Sequence, residues 1–162
     1  FRNALPDYGR GLEVGIGSGR FALPFGIRFG IDPSGKLAHM AKNRGIEVVV
    51  GEGEHLPYRS GSFDHVLMMT VICFLNDIKT VFIEVNRVLK PKGMLIVGFI
   101  EKDGEIQREF LHESTKGRFL RYAKFMSASE VAGIFSDAEF AGVSVIERTR
   151  GFCIMKGAKK GC

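Results

Sequence analysis

Glu13, the glycines Gly15, Gly17 and Gly19, and Asp32 are the residues whose types and spacing point most directly to chemistry. The stretch EVGIGSGRF, Glu13 to Phe21, carries a glycine at every second position. Glycine has no Cβ, so three of them in one turn let the main chain come close to a ligand. A dinucleotide-binding turn would read G-x-G-x-x-G and seat a pyrophosphate at its amides. Here the spacing is G-x-G-x-G, and Glu13 stands two residues ahead of the first glycine. A buried carboxylate beside a phosphate is costly, whereas one beside an ammonium or sulfonium is favourable. Asp32 ends a second apolar run, a position from which an acidic side chain accepts hydrogen bonds from ribose hydroxyls. Taken alone, an Asp before Pro33 reads as a turn starter. Together the two acids suit a nucleoside joined to a cationic amino acid.

Two further segments follow apolar runs in the same manner. Gly51-Glu52-Gly53-Glu54 comes after the third run, and Met69-Thr70-Val71 ends the fourth. The fold must bring them together. Strand candidates are residues 11–14 (GLEV), 28–32 (RFGID), 46–50 (IEVVV), 65–69 (HVLMM) and 94–99 (MLIVGF), nearly continuous apolar runs of the kind buried parallel strands show. Residues 143–147 and 151–156 close the chain as two more. With only Arg148-Thr-Arg150 and Gly151 between them, these pair as an antiparallel hairpin.

Helical patterns separate the strands. One runs from Gly35 to Arg44 and stops at Gly45, a natural C-terminal glycine. A second spans Asp77 to Leu89, with Ile78, Val81, Phe82, Val85, Val88 and Leu89 on one face, and Lys90, Pro91 and Gly93 ending it. Ser127-Ala-Ser-Glu130 is a capping box opening a helix to about Phe140, with Gly142 as its stop. Strand and helix in alternation predict an α/β fold, a mostly parallel sheet with helices on both faces and ligands beyond the carboxyl ends of its strands.

The length of 162 residues, 45% of them hydrophobic and 25% charged, predicts a single globular domain over 1–162. No apolar run reaches the ~18–20 residues of a membrane helix. The net charge of +5 is weakly basic. Its clusters are Lys116, Arg118, Arg121 and Lys124, and the tail Lys156, Lys159 and Lys160, all readable as solvated surface. Three cysteines without a C-x-x-C pair point to reduced thiols in a cytoplasmic protein and to no metal site, with Cys153 as a small core residue.

The segments LEVGIGSGRF, GIDPS, GEGEHLPYRSGSFDHVLMM and RVLKPKGMLIVGF, in this order, resemble the class I S-adenosylmethionine-dependent methyltransferases. The similarity is greatest to the small-molecule subgroup that includes ubiquinone- and biotin-pathway enzymes. The resemblance implies a Rossmann-like three-layer sandwich with a seven-stranded sheet of order 3-2-1-4-5-7-6, strand seven antiparallel. Residues 9–99 would be the cofactor-binding core, 101–126 an acceptor or lid region, and 127–157 the last helix and hairpin. It implies that Glu13 and the backbone of Gly15, Gly17 and Gly19 hold the methionine part of the cofactor, and that Asp32 grips the ribose hydroxyls, with Pro33 and Ser34 shaping the wall. By the same resemblance Glu52 contacts the adenine amino group and the Gly53 N–H faces the ring, Glu54 belongs to the cofactor site, and Thr70 and Val71 pass the methionine and the sulfonium. Methyl transfer would be an in-line displacement for which alignment supplies much of the acceleration, so no catalytic residue is assigned.

The sequence departs from the family's pattern in three places. The segment from Gly19 to Asp32 is short and contains Pro24, so the first helix is expected to have one or two turns. Cys73-Phe74 stands where many relatives carry a His pair, which favours an apolar pocket. The chain enters its first strand at about Gly11, so the helical cover usual before that strand is expected to be short or absent. Phe110, Leu111, Phe119, Leu120, Tyr122 and Phe125 are read as pocket or lid, or else as cover for the sheet edge. His112, Glu113 and Tyr122 are the candidate bases of that region, with a surface role as the plainer reading, and His55 and His65 read as surface or core. A small-molecule acceptor is the leading expectation and nucleic acid is not expected. RNA or protein as acceptor, or a non-catalytic cofactor-binding module, are the alternatives.

Overall fold

Continuous apolar runs become the inner strands, because a strand covered on both faces has no solvent side to make polar. The computed structural model describes residues 9–112 and 122–161, leaving aside the side chains of residues 110–112. Its strands are β1 (Gly11–Val14), β2 (Phe29–Asp32), β3 (Glu47–Val50), β4 (Phe63–Met69), β5 (Leu89–Ile100), β6 (Phe140–Thr149) and β7 (Phe152–Lys159). They form a seven-stranded sheet in the order β3-β2-β1-β4-β5-β7-β6. The pairs from β3 through β5 are parallel, and β7 is antiparallel to both β5 and β6. The expected α/β topology and strand order are therefore those found.

Helices α1 (Gly35–Lys42), α2 (Ile78–Val88), α3 (Glu105–His112) and α4 (Ala128–Asp137) connect the strands. Alternation along each strand sends neighbouring side chains to opposite faces. Leu12, Val14, Val66, Met68, Leu95 and Val97 meet Val81, Phe82 and Val85 of α2 and Val131 and Phe135 of α4. On the other face Leu67, Met69, Ile96 and Ile154 pack with Ile16, Ala22, Ile27 and the small Ala38 and Ala41 of α1. Each fully buried aliphatic or aromatic side chain contributes about 1.5–3 kcal/mol. Cys153 is a core residue on the α2–α4 face, as expected.

The caps follow the sequence signals. Ser34 accepts the Leu37 N–H at the start of α1, Asp77 accepts the Thr80 N–H at the start of α2, and the Ser127–Glu130 capping box opens α4. The first helix has one turn, within the one or two expected: a 3₁₀ turn, Leu23–Phe25, with Pro24 inside it and a left-handed Gly26 closing it. Proline cannot donate to an α-helical ladder, which leaves room only for a tight turn. Helix α4 ends at Asp137 rather than near Phe140; Glu139, at φ 63, reverses the chain and Phe140 already belongs to β6. Gly142 therefore does not stop the helix; it lies in β6 where the register slips between Ala141 and Ser144. Helix α2 ends before residues 90–93, as expected, and these residues run into β5 through a left-handed Lys92. The β6–β7 turn has two residues, Arg150 and Gly151, both with positive φ, the combination that matches the twist of a two-residue hairpin.

Candidate functional site

The carboxyl ends of β1, β2, β3 and β4 converge, and the loop after β1 lies between them. Gly15, Gly17 and Gly19 all have left-handed φ, at 73, 55 and 79°. The N–H groups of Gly15 and Ile16 both donate to the Ile31 carbonyl of β2, at 2.9 and 3.1 Å. Asp32 completes the tether. Its Oδ2 accepts the Gly17 N–H at 2.8 Å, and its Oδ1 accepts the Ser34 N–H at 2.9 Å. One buried carboxylate thus holds together the loop after β1 and the start of α1.

The three glycines have different reasons to lack a side chain. A Cβ at Gly15 would lie 2.3 Å from a methyl of Val71, and one at Gly19 would lie 2.6 Å from Cδ1 of Ile46. A Cβ at Gly17 would meet nothing within 4 Å. Gly15 and Gly19 are required by packing, whereas Gly17 faces open space.

Glu13 lies beneath this loop, opposite Gly30 and Leu67 in the sheet, and is 1% exposed. It accepts the backbone N–H of Ala22, and its Oε2 has no partner. Burial, opposed by that backbone bond and assisted by the negative charge of Asp32, pushes its pKa up to about 8. A carboxyl so placed is the complement of a positive charge brought in by a ligand.

A cleft of about 130 Å³ opens beside the loop. Of the residues expected from the sequence, Gly15, Pro33, Glu52, Gly53, Glu54 and Val71 line it. Glu13, Gly17, Gly19, Asp32, Ser34 and Thr70 do not line this cleft, although Asp32, Gly17 and Ser34 are bonded directly behind its wall. Phe74, the departure noted after β4, lines it too, as do Leu75 and Asn76. The last two escaped the sequence reading. Their signal is their place between the end of β4 and the Asp77 cap of α2. Gly53 is buried where a Cβ would press on Val14 and Val81, so the third loop comes close against the sheet and α2.

Thr70 leaves β4 with φ 54, a left-handed conformation rare for a β-branched residue. Its N–H donates to the Gly98 carbonyl and its hydroxyl to the Met69 carbonyl, both at 2.8 Å. Such a conformation costs about 1–3 kcal/mol and persists where neighbours enforce it, often at functional sites. Burial pushes the Cys73 thiol up to about 11, so it stays protonated at neutral pH. The Lys124 N–H donates to the Cys73 carbonyl at 2.8 Å, which brings the segment before α4 against the loop after β4. In that segment Tyr122 is 82% exposed and Phe125 is partly buried. Glu113, Lys116, Arg118, Phe119, Leu120 and Arg121 lie outside the described residues, as do the side chains of Phe110, Leu111 and His112. His55 is exposed. His65 is buried in the first half of β4, with its Nδ1 unpartnered and its proton affinity lowered by burial. Among the described residues no group of His, Cys, Asp or Glu is arranged to hold a metal ion, and no helix is long and apolar enough to cross a membrane.

This order of strands, with a glycine loop after β1 and an acid ending β2, defines the class I methyltransferase fold. A family model described as "Methyltransferase domain" matches residues 12–97. An uncharacterized protein of Methanocaldococcus jannaschii is 38% identical over 139 residues, which cover 86% of this chain and 68% of that one. The malonyl-[acyl-carrier protein] O-methyltransferase of Geobacter sulfurreducens is 30% identical over 84% of this chain and 57% of its own length. A solved structure from Thermotoga maritima, an S-adenosylmethionine-dependent methyltransferase described as a possible histamine N-methyltransferase, is 33% identical with a TM-score of 0.88. The match covers 98% of this chain and 86% of that one. Mycobacterial relatives are matched over only 46% of their length, so the chain spans about half of them. The chain belongs to the methyltransferase-domain family of class I S-adenosylmethionine-dependent methyltransferases.

Proposed function

We propose that this chain binds S-adenosylmethionine beyond the ends of β1, β2 and β4 and transfers its methyl group to a small-molecule acceptor. The observation that carries the reading is the pair of acids at the strand ends. Asp32 is fastened to the glycine loop, and Glu13 is buried beneath that loop with Oε2 unpartnered. A carboxylate has about four acceptor sites, so Asp32 retains capacity for two ribose hydroxyls after its two backbone bonds. The orphaned oxygen of Glu13 suits an ammonium and disfavours a phosphate. The residues present therefore fit this cofactor.

In this reading Glu13 supplies negative charge to the methionine end, and the Gly15–Gly19 loop, open at Gly17, lets backbone come close. Asp32 orients the ribose, with Pro33 and Ser34 shaping the wall. Glu52 and Glu54 accept from the adenine amino group, Gly53 lies against the ring, and Thr70 and Val71 border the methionine end. When bound, the cofactor supplies a methyl group on a sulfonium, already a good leaving group. The chain's task is to align and to exclude water, which Val71, Phe74 and Leu75 serve as apolar wall. No base is assigned. Cys73 is held as a thiol, and Glu101 is engaged by Arg148 at 2.8 Å and by the Ala128 N–H at 3.2 Å. The small-molecule assignment is supported by the apolar wall and by the histamine named for the Thermotoga relative.

Titration calorimetry with S-adenosylhomocysteine tests the binding. Heat and a raised Tm are expected; neither at millimolar ligand would overturn the proposal. A methyl-transfer screen over small amines, acids and thiols then tests the acceptor, and transfer confined to RNA or protein would sink that part.

A further inference from the structure

The loop between β3 and β4, residues 51–62, contains no strand or helix, yet its first residues line the cleft. A loop of this kind is ordered by what its backbone groups bond to and by the few side chains it buries, here Leu56 and Tyr58, whose hydroxyl donates to the Gly30 carbonyl at 3.2 Å. On the cleft side it is held by the Gly51 N–H to the Asp32 carbonyl and by Glu54, which accepts the Asp77 N–H at 3.3 Å. Its farther half is held by two side chains of α2. The guanidinium of Arg87 donates to the carbonyl of Leu56 at 2.9 Å and to that of Tyr58 at 2.8 Å. The same guanidinium forks onto Glu84 at 2.7 and 2.9 Å, and Glu84 Oε2 accepts the Leu56 N–H at 2.9 Å. Both backbone groups of Leu56 are therefore satisfied by this pair, and the Leu56 side chain is buried in the core beside α2. The backbone of α2 adds two bonds, from the Gly61 N–H to Arg87 and from the Ser62 N–H to Val88.

We propose that Glu84 and Arg87 are positioning residues that hold Glu52, Gly53 and Glu54 at the cleft by pinning the loop at Leu56 and Tyr58. The inference rests on the reading of those three residues as part of the cofactor site. The pair is only partly exposed, with the Arg87 side chain 34% and the Glu84 side chain 21% accessible. Arg87 holds the Glu84 carboxyl below the usual carboxylate range, so the clamp stays charged at neutral pH. A planar guanidinium reaches two carbonyls and a carboxylate at once, which the point charge of a lysine cannot. Neither residue touches the cleft, so any effect on binding passes through the loop. If the loop is in place only a fraction of the time, apparent affinity falls by that fraction.

The test uses Arg87→Lys and Glu84→Gln, with Lys79→Ala on the same helix as control, titrated with S-adenosylhomocysteine well below each Tm. The expected result is a Kd raised at least about tenfold in Arg87→Lys, with stoichiometry still near one. Backbone hydrogen exchange should quicken at residues 52–60 and stay unchanged in β1 and β4. A loss of stoichiometry at unchanged Kd would mean that the pair only stabilises the fold, and would overturn the proposal. Unchanged Kd with unchanged exchange would do so as well. If the unsubstituted protein gives no heat, the cofactor reading fails, while exchange in the loop still decides whether the clamp exists.

Discussion

The carboxylate of Asp32 accepts the backbone N–H of Gly17 at 2.8 Å, across the gap between the end of β2 and the loop that leaves β1. With Ser34 on its other oxygen, Asp32 shapes the site before any ligand arrives. Asparagine offers one carbonyl oxygen and one NH₂, so in Asp32→Asn one of the two N–H groups faces a donor. Asp32→Asn and Asp32→Ala should each lose about 1–3 kcal/mol of stability in urea titration. Each should also bind S-adenosylhomocysteine at least about tenfold more weakly. Full retention of affinity would remove Asp32 from the site.

Glu13 makes stability depend on pH with a definite sign. Its folded pKa of about 8 lies above the ordinary value of 4.5, so the unfolded chain releases the proton first as pH rises. The stabilising contribution of the protonated carboxyl is complete below about 4.5 and is lost as pH climbs through about 8. Glu13→Gln should flatten the fall in Tm across this window. If a cation binds beside Glu13, S-adenosylhomocysteine binding at pH 7 should release protons, read as a heat that varies with buffer ionisation enthalpy. Glu13→Gln should abolish that dependence.

Gly17 and Gly19 should separate under substitution. Gly19→Ala drives a methyl into Ile46 and Ala41 and keeps a left-handed φ, so roughly 2–4 kcal/mol of stability should be lost. Gly17→Ala meets open space and should cost about 1–2 kcal/mol, from φ alone. Its larger effect should be on ligand affinity. Equal destabilisation by both would contradict the packing.

Phe135 joins three elements. Its ring meets Phe82 of α2 at 5.1 Å and Phe140 of β6 at 5.4 Å, both edge-to-face, and it fills the space that Gly157 leaves in β7. Phe135→Ala should cost about 3–5 kcal/mol in urea titration. Phe135→Leu should recover much of that loss, since shape matters less than volume here.

How far the sequence reaches can be judged from particular residues. The runs GLEV and HVLMM announce buried parallel strands because an inner strand is covered on both faces and is apolar along most of its length; Glu13 and His65 are the buried exceptions. The short link around Arg150 and Gly151 forces an antiparallel end, because no crossover helix fits in it. Ser34, Asp77 and Ser127 mark their helix starts because an N-cap bond is local. Part of the cleft's lining is legible as well, since Gly15, Pro33, Glu52, Gly53, Glu54 and Val71 stand just after the strand runs, where an open α/β sheet places its clefts.

What only the tertiary structure decided are relations between residues distant in sequence. EVGIGSGRF looks like one motif, yet Gly19 makes room for Ile46, Gly15 for Val71, and Gly17 alone faces open space. The helical pattern after Ser127 extends to about Phe140, but that ring is needed in the core between α2 and β7, so the chain reverses at Glu139 and β6 begins at Phe140. No local signal links Arg87 to Leu56 and Tyr58. Glu13 could be recognised as an unusual residue in its place, but its unpartnered oxygen and raised pKa follow from burial beneath a loop that exists only once β1, β2 and β4 are assembled. Propensity, periodicity and caps are local and can be read along the chain, whereas packing, desolvation and long-range hydrogen bonds arise only when strands and loops distant in sequence are brought together.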